Sequence, residues 1–288
     1  MEPAEVVRAV DAAISIAGRL GLVAERATIL QNSNKLALRL LPCDAFARVA
    51  PVEHEHARFE IELARQLAAT GSPVAALDPR VEPRGYEHDG FEVTFWTYYD
   101  ARSEDIPPTA YAEALGRLHA GMNGLDVATP HVTDRVAHAL ELATNPQLTP
   151  ELVEEDRELL VHTLQQLRRG ISERAAGEQL IHGEPHPGNV LSTLGGLRFI
   201  DLETCCRGPV EFDVAHAPAA VAGHYLGLDE ELLDDCRRLV LAMVATWRWE
   251  RGDQLPDGRA FGRELLDVLR SGPPWPTVDE VHGRLDLP

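Results

Sequence analysis

Residues 179–203 constrain this chain more than any other stretch. Gln179–Ile181 is apolar and strand-like. The following His182–Gly188 contains Pro185, Pro187 and Gly188, which break regular structure. Asn189–Ser192 reads as a second short strand, Gly195-Gly196 turns the chain, and Leu197–Ile200 returns as the other arm of a hairpin. The layout sets Glu184, Asn189 and Asp201 at the mouths of short strands, where one metal–phosphate complex would meet all three.

The spacing has a counterpart in kinase catalytic loops, which read His-x-Asp, then Asn five residues after the Asp, then a strand ending in a metal-binding Asp. Here the series is His182, Glu184, Asn189 and Asp201. With Gly183 second and Asn189 after Pro187-Gly188, the segment resembles the aminoglycoside phosphotransferase and choline kinase family, whose loop usually reads His-Gly-Asp. Ile200-Asp201-Leu202-Glu203 and Gly208–Ala215 are similar to the rest of that signature. Glu184 is the departure, standing where the family usually has Asp. The resemblance covers roughly residues 27–249 and is sharp over 181–215.

The resemblance implies an α+β, two-lobed protein-kinase-like fold. Residues 1–100 would form a small antiparallel sheet with one main helix. Residues 101–288 would form a larger, mostly helical lobe carrying the hairpin 180–203 and an acceptor pocket. It implies ATP and Mg²⁺ as cofactors and transfer of a phosphoryl group to a hydroxyl of a small molecule. Glu184, His182 and Asn189 would be catalytic, and Asn189 and Asp201 metal ligands. Ser33, Arg48, Glu60, Trp96, Thr97 and Tyr99 would line the nucleotide. The family points to an antibiotic acceptor of the aminoglycoside type, hence to antibiotic resistance. The same frame serves kinases of choline, homoserine and sugars, because the acceptor pocket is built from variable helices. A nucleotide-binding protein with weak or no turnover is the reading in which Glu184 marks lost chemistry.

Composition narrows the partners. The 288 residues suffice for one large domain or two lobes. No apolar run approaches the ~20 residues of a membrane helix, and Met1–Pro3 opens no signal-peptide pattern, so a cytoplasmic protein is expected. Cys43, Cys205, Cys206 and Cys236 have neither disulfide nor zinc spacing. The net charge of −19 argues against nucleic acid or anionic membrane as the main partner. Residues 1–100 carry 10 basic and 15 acidic residues, residues 101–288 carry 17 and 31. An acidic second half favours a cationic acceptor, though acidity also serves solubility alone. Lys35 is the only lysine. Composition leaves monomer and dimer open.

Along the chain, Glu5–Leu20 reads as a helix with Val6, Val10, Ala13/Ile14 and Ala17 on its apolar face. Ala27–Gln31, Lys35–Leu41 and Ala45–Ala50 read as an antiparallel meander, with Asn32-Ser33-Asn34 as the turn that would face phosphate. The third strand carries Arg48 where a kinase has its ATP-binding Lys; Lys35 is the rival for that role. In the helix Glu53–Ala69, Glu60 shares a face with Ala64 and Leu67, whereas Glu62 lies with Arg58 and Gln66 on the wet side, so Glu60 is the better partner for a strand cation. His54-Glu55-His56 lacks metal-binding spacing. Val81–Arg84 and Phe91–Tyr99 read as a hairpin around His88-Asp89-Gly90, and the resemblance makes Thr97–Tyr99 the segment whose backbone reads an adenine edge.

Helices are expected over 109–122, 134–143, 150–169, 211–225, 229–250 and 257–269. His119 lies on an apolar stripe and reads as packed. Asp213 reads as an N-terminal cap; in the family the corresponding Asp steadies the catalytic loop. His186 reads as exposed or as a phosphate contact, and Glu203 as a contact for a second metal or an ammonium group. Asp201 and Asn189 also have local alternatives, as a turn cap and a partner for loop backbone. Hard oxygen ligands suit a divalent ion on phosphate, and a carboxylate in reach of a hydroxyl can orient it and take its proton. The extra methylene of Glu184 displaces its carboxylate by ~1.5 Å relative to Asp. A shift of that size costs about 100-fold in rate unless the loop compensates.

Overall fold

Strict alternation builds the sheet of the N-terminal half. In β2 (Leu36–Pro42) and β3 (Ala45–Pro51), Leu36, Leu38, Leu40, Ala45, Ala47 and Val49 are fully buried on one face. Arg39, Phe46 and Arg48 point to the other, as the period of two requires. The structure, a computed structural model, describes residues 1–33, 35–52, 57–102, 105–174 and 177–285. With β1 (Ala24–Asn32), β4 (Tyr86–His88) and β5 (Phe91–Thr97), these strands form one antiparallel sheet in the order β1-β2-β3-β5-β4. Helix α1 (Pro3–Arg19) packs on its aliphatic face. It buries Ala9, Ala12, Ala13, Ile16 and Ala17, so the seam lies beside the expected Val6/Val10 line, which is only partly buried. The alanines let helix and sheet approach closely.

The outer hairpin differs from expectation in its first arm, which is Tyr86–His88 and not residues 81–84. Asp89 and Gly90 both have positive φ, 49° and 80°, so a two-residue turn pairs His88 with Phe91 and fixes the register. Helix α2 (Ala57–Ala69) places Glu60 inward and leaves Glu62 outside with Arg65 and Gln66. Asn34 and the His54-Glu55-His56 stretch lie outside the described residues.

Two compact units result, Met1–Glu104 with Leu191–Glu203, and Asp105–Val190 with Thr204–Pro288. The expected division at 100/101 had kept residues 180–203 whole in the second part. The hairpin β7 (Val190–Thr193) and β8 (Gly196–Phe199) instead packs largely with the first unit, because Phe199 N donates to Pro73 O at 2.7 Å and Ala75 N to Phe199 O at 2.9 Å.

The second unit is helical: α3 (Pro108–Met122), α4 (Val132–Thr144), α5 (Glu154–Arg174), α6 (Val210–His216), α7 (Glu230–Trp247), α8 (Gly258–Ser271) and α9 (Val278–His282). Asp229 caps α7 through the amides of Glu231 and Leu232. The helix buries Leu232, Cys236, Leu239, Val240 and Met243 along its inner face. The only strand pair of this unit among the described residues is β6 (Gln179–Ile181) with β9 (Cys206–Gly208), a pairing the sequence did not suggest. All four cysteines are free thiols. Among the described residues no helix is long and apolar enough to cross a membrane.

Candidate active site

In the first unit the candidate residues form a charge cluster. Arg48, carried by β3 on the face away from α1, donates to Glu60 Oε1 through Nη1 and to Asp201 Oδ1 through Nη2 at 2.6 Å; Glu203 Oε1 lies 4.0 Å from Nη2. Lys35 Nζ bonds Glu203 Oε2 and lies 3.8 Å from Glu60 Oε2. The two cations treated as rivals therefore share two carboxylates, Glu203 and Glu60, the latter 2 % exposed. Burial opposes the Arg48 charge, but Glu60, Asp201 and Glu203 outweigh it and raise its pKa. Burial, with Asp201 and Glu203, raises the Glu60 carboxyl against the pull of Arg48 and Lys35. Asp201 stands just past β8 with φ +66°, a left-handed conformation that Asp tolerates better than most residues.

The other expected nucleotide contacts also fall in this unit. Trp96 is buried, with its indole N–H donated to Thr94 Oγ1 at 2.9 Å. The Thr97 amide is committed to Ala76 O at 2.8 Å, so it is not the donor for a base edge. The segment 76–78 covers the edge of β5 that β4 leaves open, with Leu77 bridged to Trp96 and Asp78 N donating to Phe95 O. Tyr99 accepts the Ala76 amide on its hydroxyl at 3.3 Å. Ser33 is exposed and turns its own amide and hydroxyl onto Lys35 O.

In the second unit the loop after β6 is braced from below. Asp213, fully buried on α6, accepts from His182 N at 2.8 Å, Gly183 N at 2.7 Å and His119 Nε2 at 2.8 Å. It lies within α6, so it braces the loop and does not cap the helix; Pro209 is the residue at the cap position. Burial pushes the Asp213 carboxyl up, but the His119 hydrogen bond and charge and the loop amides hold it below its usual range. His119 also meets Tyr225 Oη at 2.6 Å through Nδ1, so it is packed as expected and links α3 to the loop. Burial and Asp213 push the Tyr225 hydroxyl up to about 12. His182 is fully buried, and its Nδ1 accepts from Glu184 N at 3.4 Å.

Above this base, Asn189 ends a single 3₁₀ turn (Pro187–Asn189), capped by His186 through Gly188 N, where a strand residue was expected. Asn189 Nδ2 donates to Glu184 O at 3.0 Å, so its amide oxygen is the acceptor end that points away from that carbonyl. Tyr111 donates its hydroxyl to Pro185 O. Arg135 of α4 donates to Gly183 O at 3.1 Å and to Glu184 Oε1. Burial raises the Glu184 carboxyl, but Arg135 and neighbouring histidines outweigh it and hold it below the usual range. Tyr111 and Arg135 carried no sequence signal. Each is one residue on a helix 49 to 74 positions away, and only packing brings it to the loop.

A family model described as "Phosphotransferase enzyme family" matches residues 31–252. The chain belongs to that family. It is a phosphotransferase, a kinase with an alcohol group as acceptor. Solved structures similar to it include a GDP complex of aminoglycoside 2′-phosphotransferase-IIIa, with 16% identity, TM-score 0.66, and coverage of 90% of this chain and 97% of that one. Spectinomycin phosphotransferase bound to AMP matches with 12% identity, TM-score 0.63, and coverage of 94% and 97%. Choline kinase from Streptococcus pneumoniae matches with 14% identity, TM-score 0.65, and coverage of 90% and 98%. At these identities the likeness is one of fold, the protein-kinase-like fold expected of this phosphotransferase. No curated protein sequence matches significantly.

Proposed function

We propose that this phosphotransferase is an ATP- and Mg²⁺-dependent O-kinase of a small, cationic hydroxyl compound, of the aminoglycoside-antibiotic type. The braced loop carries the reading: Asp213 fixes the amides of His182 and Gly183, and the Glu184 carboxylate and Asn189 amide oxygen project from that fixed base.

The donor set fits Mg²⁺ with nucleotide. Among the described residues no three His, Cys, Asp or Glu side chains form a ready metal cage. Mg²⁺ commonly takes one or two protein carboxylates and completes its shell with phosphate and water. Asp201 and Asn189 are the proposed ligands. When bound, Mg²⁺ neutralises charge developing on the phosphates.

Glu184 orients the acceptor hydroxyl and receives its proton. A carboxylate held at low pKa is a weak base, which suits a transfer in which the hydroxyl loses its proton late. Arg135 binds one carboxylate oxygen and leaves Oε2 for the substrate. Backbone groups past Thr97, at Tyr98 and Tyr99, are the proposed contacts for the base, since the Thr97 amide is committed.

The acidic excess of residues 101–288 supports a cationic acceptor. The structural neighbours act on both antibiotics and choline, so a metabolite kinase of the choline, homoserine or sugar type is the competing assignment. A screen of aminoglycosides, other antibiotics and hydroxylated metabolites, read by ADP release and by mass for an added phosphate, tests the proposal. Phosphate on a polycationic antibiotic is the expected result. Turnover only with a neutral or simple metabolite overturns the antibiotic assignment.

A further inference from the structure

The charge cluster of the first unit holds two cations of different chemistry. Arg48 is the more constrained. Its planar guanidinium is shared among Glu60, Asp201 and Glu203, a fixed geometry that a rigid fork of donors suits. Lys35 has a flexible stem and a compact charge. It stands one residue before β2, and its ammonium has one close partner, Glu203, with Glu60 farther off. The cluster's cations are already occupied by these carboxylates, and the cavity bordered by Lys35, Arg48, Glu60 and Thr94 is about 10 Å³, room for roughly one water. A phosphate arriving here therefore gains a cation only if one turns away from its carboxylate.

We infer that Lys35, and not Arg48, is the residue that grips the nucleotide phosphates, leaving Glu203 to do so, while Arg48 stays in place as the organiser of Glu60 and Asp201. Releasing Arg48 would strip a partner from buried Glu60 and from Asp201 together. Releasing Lys35 costs its contact with Glu203 and its longer approach to Glu60, but leaves Glu60 hydrogen-bonded to Arg48. Lysine binds phosphate as a point charge and needs no planar match. Departure of Lys35 also frees Glu203, adding a carboxylate beside Asp201 as the phosphates arrive. Arg48 is thus a positioning residue, although it occupies the strand position where the family resemblance puts the ATP-binding lysine.

This inference rests on the nucleotide reading above, and the test separates the two. Mg²⁺–ATP and adenosine are titrated against the full chain, wild type and variants, by thermal shift and calorimetry. Lys35→Met is expected to weaken Mg²⁺–ATP by about 10- to 100-fold, the loss of one charge-assisted contact, with adenosine affinity unchanged; Lys35→Arg restores part of it. Because Lys35 is the only lysine, an acyl-phosphate derivative of ATP reports directly: its acyl group is expected on the peptide containing Lys35, and excess Mg²⁺–ATP abolishes the label. An ATP-to-adenosine affinity ratio unchanged in Lys35→Met, together with an unlabelled Lys35, overturns the inference while leaving nucleotide binding intact. A wild-type chain that binds neither ligand overturns the nucleotide reading and this inference with it.

Discussion

Arg135 holds two successive loop residues, donating to the Gly183 carbonyl at 3.1 Å and to the Glu184 carboxylate at Oε1. The longer glutamate side chain is thereby anchored. Arg135 is itself flanked by the rings of Phe212 and Trp247, at 6.0 and 5.8 Å from their centroids. Glutamate at this position need not mean a displaced carboxylate, because the packed guanidinium fixes where the carboxylate sits. Arg135→Ala is expected to lower kcat by about 100-fold, the cost of a misplaced reacting group, while the Kd for Mg²⁺–ATP stays near wild type. Steady-state kinetics and nucleotide titration on the same preparation check the split. A loss confined to nucleotide affinity would contradict this role.

Glu184→Gln keeps shape and removes the charge. It is expected to cut turnover by about 10²- to 10⁴-fold, the usual range for a general base, and to leave nucleotide binding unaltered. Glu184→Asp is also expected to be slower than wild type, because the shorter side chain loses contact with Arg135. Retained rate in Glu184→Gln would show that another group takes the proton.

Gly183 allows the turn over Asp213. It has φ +87°, and a Cβ there would sit 2.2 Å from Thr204 O. Thr204 also donates its hydroxyl to His182 O at 3.0 Å, so that backbone has little freedom to retreat. Gly183→Ala is expected to destabilise the second unit by about 2–3 kcal/mol through left-handed strain and overlap, and to lower kcat by displacing Glu184. Denaturant unfolding and kinetics measure the two effects.

His216 sets a pH dependence of stability. It is buried on α6 against Phe212, and its Nε2 has no hydrogen-bond partner among the described residues. Burial lowers its pKa from 6.5 to about 4, against the pull of Glu184. The unfolded chain therefore binds a proton between about pH 6.5 and pH 4 that the folded chain refuses, and stability falls as pH drops through that window. The full effect is about 3 kcal/mol by linkage. The lowered carboxyls of Asp213 and Glu184 extend the loss to more acid pH. Unfolding free energies at pH 7.5 and 5 are expected to differ less in His216→Phe than in wild type.

Asp201→Ala is expected to remove the Mg²⁺-dependent part of nucleotide affinity. The variant also frees one arm of Arg48, so ATP binding without metal is expected to persist. Calorimetry with and without Mg²⁺ separates the contributions.

The sequence by itself determined the fold and the family. Period-two burial in Leu36–Leu40 and Ala45–Val49 specified the sheet. Helical spacing put Glu60 inward and Glu62 outward. The order of His182, Glu184, Asn189 and Asp201 carried the family. These are short-range patterns, in which backbone geometry alone fixes which side chains share a face. Only the tertiary structure decided the partners. It placed Lys35 and Arg48 on one buried glutamate where the sequence offered them as rivals, made Asp213 a brace and not a cap, committed the Thr97 amide to Ala76, and brought Arg135 and Tyr111 to a loop distant in sequence. A hydrogen bond or ion pair between remote elements depends on how those elements pack, and spacing along the chain holds no record of it.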